Sequence, residues 1–140
     1  EAAFLPRIWT ISLALLLFPL VFYFGWKQTS GFYQINNPSI VEAGKVADKI
    51  LPKDAIVVTP YSGDSAFLYQ TNRSGWAYVS LPITYMIADY GVTHYISTTE
   101  DAKTKWIMKH FTVLEKRENY VVVDLTKLIS NLDFTLDPEP

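Results

Sequence analysis

Few residues in this sequence belong to the types that carry out catalysis or bind metals. It contains two histidines, His94 and His110, and no cysteine, so thiolate metal sites, cysteine nucleophiles and disulfides are excluded. His94 lies among apolar neighbours in an expected strand, and His110 at the expected end of a helix, where positive charge is favourable. No H-x-H or i, i+4 spacing joins a histidine to a second ligand. We therefore expect no metal site and no cofactor in this segment.

Two serines are the hydroxyl groups best placed for nucleophilic or phosphate chemistry. Ser62 and Ser65 fall in a turn between an expected strand and an expected helix, where backbone amides attract anions. The turn over residues 61–65 matches neither G-x-S-x-G nor a phosphate-binding loop, and Asp64 would repel an anion. We interpret it as a helix-capping turn, with Asp64 or Ser62 as the cap, and Glu100-Asp101 as a helix start. We expect no catalytic residue in this chain.

Composition and charge limit the classes of partner. Lys and Arg number 12 against 14 Asp and Glu, a formal net charge of -2, so the cationic surface that nucleic acid requires is missing. The chain is 49% hydrophobic and 15% aromatic, which is too apolar for disorder and indicates contact with lipid. Its 140 residues suffice for one domain of ordinary size. Because the first residue is glutamate rather than methionine, we expect the chain to have been either processed or cut out of a longer protein.

The apolar segment Ile8–Trp26 carries no charge and is bracketed by Arg7 and Lys27. As a helix it would span roughly 28 Å, close to the hydrocarbon thickness of a bilayer. We interpret it as a transmembrane helix kinked at Pro19; the alternative is a signal sequence, although the segment exceeds the usual apolar region of one. The expected membrane-interface anchors are the aromatic residues Trp9, Tyr23 and Trp26.

The remaining sequence alternates between helix-like and strand-like segments. The expected elements are a helix from Asn37-Pro38 to before Pro52, a strand at Ala55–Thr59, a short helix at Ala66–Gln70, a strand at Trp76–Val79, a helix at Pro82–Tyr90, a strand at Thr93–Ser97, a helix from Thr99 to His110, and a hairpin of Val113-Leu114 with Tyr120–Val123. This order predicts an α/β fold. Behind the transmembrane helix we expect a small three-layer α/β/α domain with a mainly parallel sheet and an antiparallel edge hairpin.

The expected domain organisation follows from these elements. Residues 1–27 form the transmembrane helix with its flanks, 28–36 a linker, 37–126 the α/β domain and 127–140 a C-terminal tail. Six aromatic residues of the α/β domain could stack on a sugar ring, lie along a bilayer interface or pack in the core: Tyr61, Phe67, Tyr69, Trp76, Tyr78 and Tyr85. Asn72-Arg73-Ser74 fits the N-x-S glycosylation pattern.

Three stretches carry a resemblance to a known family. They are Asn37-Pro-Ser-Ile-Val-Glu-Ala-Gly44, Ile50-Leu-Pro-Lys-Asp-Ala-Ile-Val-Val58 and Tyr61-Ser-Gly-Asp-Ser-Ala-Phe-Leu-Tyr-Gln-Thr-Asn-Arg-Ser-Gly-Trp76. Together they resemble the C-terminal extramembrane domain of bacterial GT-C class glycosyltransferases, which are similar to the dolichyl-phosphate-mannose protein mannosyltransferases and the lipid A aminoarabinose transferases. The resemblance covers Ile8 to about Leu125, with the apolar helix corresponding to the last membrane span.

The resemblance implies a function for the parent protein and a supporting role for this segment. In that family the donor is a polyprenyl-phosphate sugar, and the catalytic acids lie in an early loop that has no counterpart here. The segment is then a non-catalytic extracytoplasmic domain in the cell membrane that caps the site or positions a glycan acceptor, in contact with lipid and with other transmembrane helices. The loop residues expected to face acceptor or membrane are Tyr61, Ser62, Gly63, Asp64, Asn72, Arg73 and Trp76.

Two other interpretations remain open from the sequence alone. The chain could be a single-span, membrane-anchored binding or scaffold module without enzymatic activity. It could also be a membrane-tethered enzyme whose site has no recognised pattern. The sequence upstream of Glu1 is expected to separate the transferase from the anchored module, since only the former has many further membrane spans.

Overall fold

The computed structural model describes residues 7–33 and 37–129. By its internal contacts the chain divides into two units, Glu1–Asn36 and Asn37–Pro140. Residues 130–140, most of the expected C-terminal tail, lie outside the described residues.

The first unit is a single long helix followed by a short one. Helix α1 runs over Arg7–Thr29, with Pro19 inside it, and a 3₁₀ helix follows at Ser30–Tyr33. The segment Trp9–Thr29 is long and apolar enough to cross a membrane, and none of it is buried within the structure. The helical backbone of α1 continues through the polar residues Gln28 and Thr29, which are the first two residues of the expected linker at 28–36.

The second unit combines four helices with five strands among the described residues. Its helices are α2 (Pro38–Ile50), α3 (Ala66–Thr71), α4 (Ile83–Tyr90) and α5 (Ala102–His110). Its strands are β1 (Ile56–Val58), β2 (Ser74–Trp76), β3 (His94–Ser97), β4 (Phe111–Lys116) and β5 (Val121–Leu128). The predicted α/β class is confirmed.

Helix ends lie where the sequence provides capping groups. Oδ1 of Asn37 accepts a hydrogen bond of 3.0 Å from the backbone amide of Ser39, and Oδ1 of Asp101 accepts one of 2.7 Å from Thr104. Helix α4 ends at Gly91, which adopts the left-handed conformation with φ of 65°. These caps fix the starts of α2 and α5 and the end of α4 close to the predicted positions.

The five strands form one mixed sheet in the order β2-β1-β3-β5-β4. Strand β1 pairs parallel to β2 and to β3, whereas β5 pairs antiparallel to β3 and to β4. Parallel and antiparallel pairings are thus equal in number. The last of the described strands, β5, lies between β3 and β4 rather than at an edge, and it continues to Leu128, past the expected boundary at residue 126.

Strand β2 differs from the prediction. It occupies Ser74–Trp76 instead of starting at Trp76, because Gly75 pairs with Val57 of β1. A Cβ atom at Gly75 would lie 1.8 Å from the carbonyl oxygen of Val57. Glycine often marks a turn in a sequence. Gly75 is instead required inside strand β2, because the backbone of Val57 approaches it closely.

Two buried clusters join the helices to alternate residues of the strands. One buried cluster joins α2 and α3 to the sheet through Ile40, Ala43, Ala47, Phe67, Val57, Ile96 and Val122. The other joins α4 and α5 to it through Ile83, Met86, Ile107, Val58, Tyr95, Val121 and Val123. Ile50 and Tyr90 are 43% and 45% exposed, since each is the last residue of its helix.

Candidate functional site

The turn after β1 caps helix α3. Oδ1 of Asp64 accepts a hydrogen bond of 2.8 Å from the amide of Ala66, and the amide of Asp64 donates to the carbonyl oxygen of Tyr61. Ser62 and Gly63 both have positive φ, 51° and 79°. Asp64 is thus the capping group, one of the two that the sequence suggested, and the side chain of Ser62 belongs to an exposed tight turn.

Arg73 lies in the interior instead of on a binding surface. Its side chain is 0% exposed, and its guanidinium donates to the carbonyl oxygens of Pro52, Leu51 and Asp48 at 2.7, 2.7 and 3.1 Å. Nη1 also donates to Oδ1 of Asp48 at 2.7 Å and to the carbonyl oxygen of Asn72 at 2.9 Å. All five N–H groups of the guanidinium therefore have acceptors, and none is left for a glycan.

The carboxylate that pairs with Arg73 is shared with a second cation. Nζ of Lys53 lies 2.8 Å from Oδ1 of Asp48. The hydrogen bonds from Lys53 and from Arg73 lower the pKa of Asp48 to about 2. Asp48 therefore stays charged at physiological pH. Its role is to hold Lys53 and Arg73 at the end of α2, not to act as an acid or base.

The sheet separates the predicted loop residues into two groups. The turn 61–64 follows β1 and Trp76 ends β2, so these residues lie at the carboxyl ends of two parallel strands. Asn72 and Arg73 precede β2 and lie at its opposite end. Exposed Asn72 borders an open groove of about 730 Å³ with Lys53 and Tyr69. A single surface made of all seven predicted residues is therefore not formed.

The six predicted aromatic residues are likewise divided. Tyr61 packs edge to face on Phe67 with ring centroids 6.3 Å apart, on the α3 side of the sheet. Trp76 packs with the α4 side, where its centroid is 5.4 Å from that of Tyr90 and Tyr90 is 6.2 Å from Tyr85. Tyr90 was missed by the sequence argument, because only the pairing of β1 with β2 brings Trp76 to α4.

A carboxylate accompanies this second aromatic group. Asp89 lies four residues after Tyr85 on α4. The charge of Asp89 raises the pKa of the Tyr85 hydroxyl, which therefore stays protonated at physiological pH. We call Trp76, Tyr85, Asp89 and Tyr90 the aromatic surface.

A cavity of about 440 Å³ is lined by two buried titratable groups of the sheet. His94 and Asp124 are directly opposite each other on β3 and β5, and they are only 6% and 5% exposed. Asp124 accepts hydrogen bonds from the amide and the hydroxyl of Thr126, and Nζ of Lys127 lies 3.1 Å from its Oδ2. Although burial disfavours the carboxylate, these bonds lower the pKa of Asp124.

His94 also contacts a hydroxyl group beside the start of β3. Oγ1 of Thr93 lies 2.8 Å from Nδ1 of His94 and 3.1 Å from the carbonyl oxygen of Ile56, and it accepts a hydrogen bond from the amide of Ile56. The tautomer of His94 decides whether Nδ1 or Oγ1 is the donor. Burial lowers the pKa of His94, which favours the neutral form of the ring.

These groups do not assemble a nucleophilic triad or a metal centre. His94 starts β3, beside the segment that precedes β1, whereas Ser62 and Ser65 lie beyond the carboxyl end of β1. Within residues 7–33 and 37–129, no cluster of three or more His, Asp or Glu side chains could hold a metal ion. What the described residues offer is hydrogen bonding and aromatic contact, which suits binding.

The expected interface anchors lie on α1 in the first unit. Trp9 is in its first turn and Tyr23 and Trp26 are in its last two turns, and all three are exposed. Comparisons of the chain with protein-family models, with curated proteins and with solved structures gave no match.

Proposed function

We propose that this chain is the C-terminal portion of a membrane-embedded glycosyltransferase that uses a polyprenyl-phosphate sugar as donor. Helix α1 is its last membrane span, and the α/β unit is a non-catalytic extracytoplasmic domain that caps the site or positions the glycan acceptor. The proposal is supported by α1, by the binding-type surfaces of the α/β unit and by the sequence resemblance.

The observation that carries the proposal is the uncovered apolar surface of α1. Its large side chains are exposed around the whole helix, as Leu15 at 71%, Phe18 at 67% and Phe22 at 64% illustrate. Leaving each of these side chains in water costs roughly 1.5–3 kcal/mol of free energy relative to an apolar environment. The helix therefore requires lipid or other apolar helices around it. Pro19 is a further argument for neighbouring helices around α1. A proline inside a helix leaves a backbone carbonyl without its hydrogen bond, and in membranes neighbouring helices commonly satisfy that carbonyl.

The α/β unit supports a positioning role. Apolar clusters on both faces of its sheet give it a core of its own and favour the expected three-layer arrangement. Five of the residues predicted to face the acceptor lie at one end of the sheet and are kept in the proposal: Tyr61, Ser62, Gly63, Asp64 and Trp76. Arg73 is left out because its guanidinium is saturated by the end of α2, and Asn72 lies at the other end of β2.

Cysteine labelling tests the topology. The natural sequence has no cysteine, so Arg7→Cys and Lys109→Cys each give a single thiol, one on either side of α1. If α1 spans the membrane with the α/β unit outside, an impermeant maleimide labels Lys109→Cys in intact cells and labels Arg7→Cys only after lysis. A mass spectrum showing that α1 has been removed would identify a signal sequence and contradict the membrane span.

Turnover tests the transferase. In the full-length protein that contains this chain, deletion from residue 37 onward should raise the KM for acceptor and leave the KM for the polyprenyl-phosphate donor unchanged. Unchanged acceptor kinetics would contradict the positioning role. A full-length protein with no further membrane spans and no donor turnover would instead favour the single-span anchored module.

A further inference from the structure

We propose that the aromatic surface formed by Trp76, Tyr85, Asp89 and Tyr90 binds a neutral carbohydrate chain. The inference rests on the proposed function, because it specifies the class of acceptor that the α/β unit positions. It concerns a place on the molecule, the outer side of α4 beside the edge strand β2, that the sequence argument did not assemble.

The rings are exposed yet held in place. Tyr85 and Tyr90 are 50% and 45% exposed, while Trp76 is partly buried against the core. The Tyr90 ring meets Trp76 at an interplanar angle of 74° and Tyr85 at 62°. Edge-to-face contacts of this kind restrain the rings without covering their outer faces. Such rings bury a large contact area on binding at a small cost in conformational entropy.

The carboxylate is placed to accept hydroxyl groups. Asp89 and Tyr85 are one helical turn apart on α4. A carboxylate offers about four acceptor positions. Asp89 is exposed, so these positions face solvent beside the rings. A sugar presents apolar C–H faces together with hydroxyl donors, which matches rings adjacent to a carboxylate.

The charge of the segment distinguishes a sugar from anionic partners. No Lys or Arg occurs between residues 74 and 102, and the charged residue of α4 is Asp89. Anionic lipid headgroups, phosphates and nucleic acid are bound through clustered Lys and Arg. A surface of aromatic rings and one carboxylate, with no cation in its segment, complements a neutral, hydroxyl-rich ligand instead.

The binding experiment uses the full 140-residue chain with its four tryptophans replaced by 5-fluorotryptophan. The chain is placed in phosphatidylcholine nanodiscs, since maltoside and glucoside detergents are themselves sugars. The probes are maltohexaose, cellohexaose and mannohexaose, followed by ¹⁹F NMR. Trp106, which stacks on His110 of α5 at 4.3 Å, gives an internal reference signal that also reports whether each variant is folded.

We expect at least one hexasaccharide to shift the Trp76 signal saturably and leave Trp106 unchanged. Tyr85→Ala and Asp89→Asn should each raise the Kd by about fivefold or more, as expected for loss of a stacking ring or a charged acceptor. The matched control is Tyr69→Ala, which removes an exposed tyrosine from α3 and should leave the Kd unchanged.

Three results would overturn the inference. One is the absence of any Trp76 shift up to about 10 mM of each sugar, tenfold above a Kd of about 1 mM. Another is an unchanged Kd in both Tyr85→Ala and Asp89→Asn. The third is a Trp76 signal that ignores sugars and is broadened by spin-labelled phosphatidylcholine, which would place the surface on the bilayer. None of these involves turnover or topology, so the inference can fail while the proposed transferase stands.

Discussion

The guanidinium of Arg73 lies against the last turn of α2, with Nη1 2.7 Å from Oδ1 of Asp48. Its other donors reach carbonyl oxygens that follow or belong to that turn. The carbonyls at a helix C-terminus have no partners within the helix and carry partial negative charge. Arg73 immediately precedes the edge strand β2, so its hydrogen bonds connect the edge of the sheet to the end of α2.

Arg73→Lys is expected to destabilise the α/β unit strongly. Lysine has three donors on one atom and cannot reproduce the planar fork, so several carbonyls would be left buried without partners. We expect the free energy of unfolding to fall by roughly 2–4 kcal/mol. Urea unfolding of the full chain in phosphocholine micelles, followed by near-ultraviolet circular dichroism, measures it.

Lys53→Gln is the matched control, because Lys53 pairs with the same carboxylate from a side chain that is 74% exposed. An exposed pair contributes about 0–1 kcal/mol, so the change should be small. Equal losses in the two variants would show that Arg73 acts as an ordinary surface charge.

Gly75→Ala is expected to disrupt the pairing of β1 with β2. Gly75 has φ of 156°, and a Cβ atom there would lie 1.8 Å from the carbonyl oxygen of Val57. The strands would have to separate, and we expect a loss of roughly 3 kcal/mol or more. The same urea unfolding measures it.

Gly63→Ala provides the comparison. Gly63 has φ of 79°, but no atom lies within 4 Å of its Cβ position. In Gly63→Ala the free energy of unfolding should fall by about 1 kcal/mol, because only the backbone conformation is unfavourable for alanine. A Gly75→Ala loss no larger than this would mean that β2 does not pair closely at Gly75.

His94 makes the stability of the α/β unit fall on acidification. Burial lowers its pKa below the ordinary value of 6.5, so the unfolded chain takes up a proton at a higher pH than the folded one. Stability is therefore complete above about pH 6.5 and is lost as the pH falls towards the folded pKa, by up to about 1.4 kcal/mol per pH unit. Unfolding curves between about pH 7 and 5 measure this slope.

His94→Gln should remove that slope while an amide partly replaces the ring. The control is His110→Gln, which removes a histidine from the end of α5 and should retain the slope. A slope that persists in His94→Gln and disappears in His110→Gln would contradict the assignment.

Leu16→Lys is expected to reduce membrane insertion of α1. Leu16 is 65% exposed near the middle of the apolar segment, and a lysine near the centre of a span costs roughly 2.5–3.5 kcal/mol. The inserted fraction, measured as resistance to carbonate extraction, should fall in Leu16→Lys and remain close to wild type in Leu16→Ala. Equal insertion of both variants would argue against a bilayer around α1.

Local sequence signals predicted most of the fold. Asn37-Pro38 and Asp101 carry capping chemistry within a few residues of the helices they begin, so α2 and α5 could be predicted directly. The expected strand at Trp76–Val79 left out Gly75, because the reason for a glycine in β2 is the backbone of Val57, far away in sequence. Information of that kind lies in the strand pairing and not in any window of the sequence.

The candidate sites were harder to predict for the same reason. A charged residue is usually exposed, so Arg73 was expected at the surface, whereas four acceptors at the end of α2, distant in sequence, allow its burial. His94 and Asp124 meet only through the register of β3 with β5. Trp76 reaches Tyr90 only because β2 is the edge strand.

The position of β5 has a consequence for biosynthesis. Since β5 is the last strand among the described residues and pairs with both β3 and β4, a nascent polypeptide cannot join β4 to the rest of its sheet until residue 128 has left the ribosome. Until then, the edges of β3 and β4 that pair with β5 have no partner and are exposed. A premature stop within 121–128 would thus split the sheet into β2-β1-β3 and an isolated β4, instead of trimming an edge.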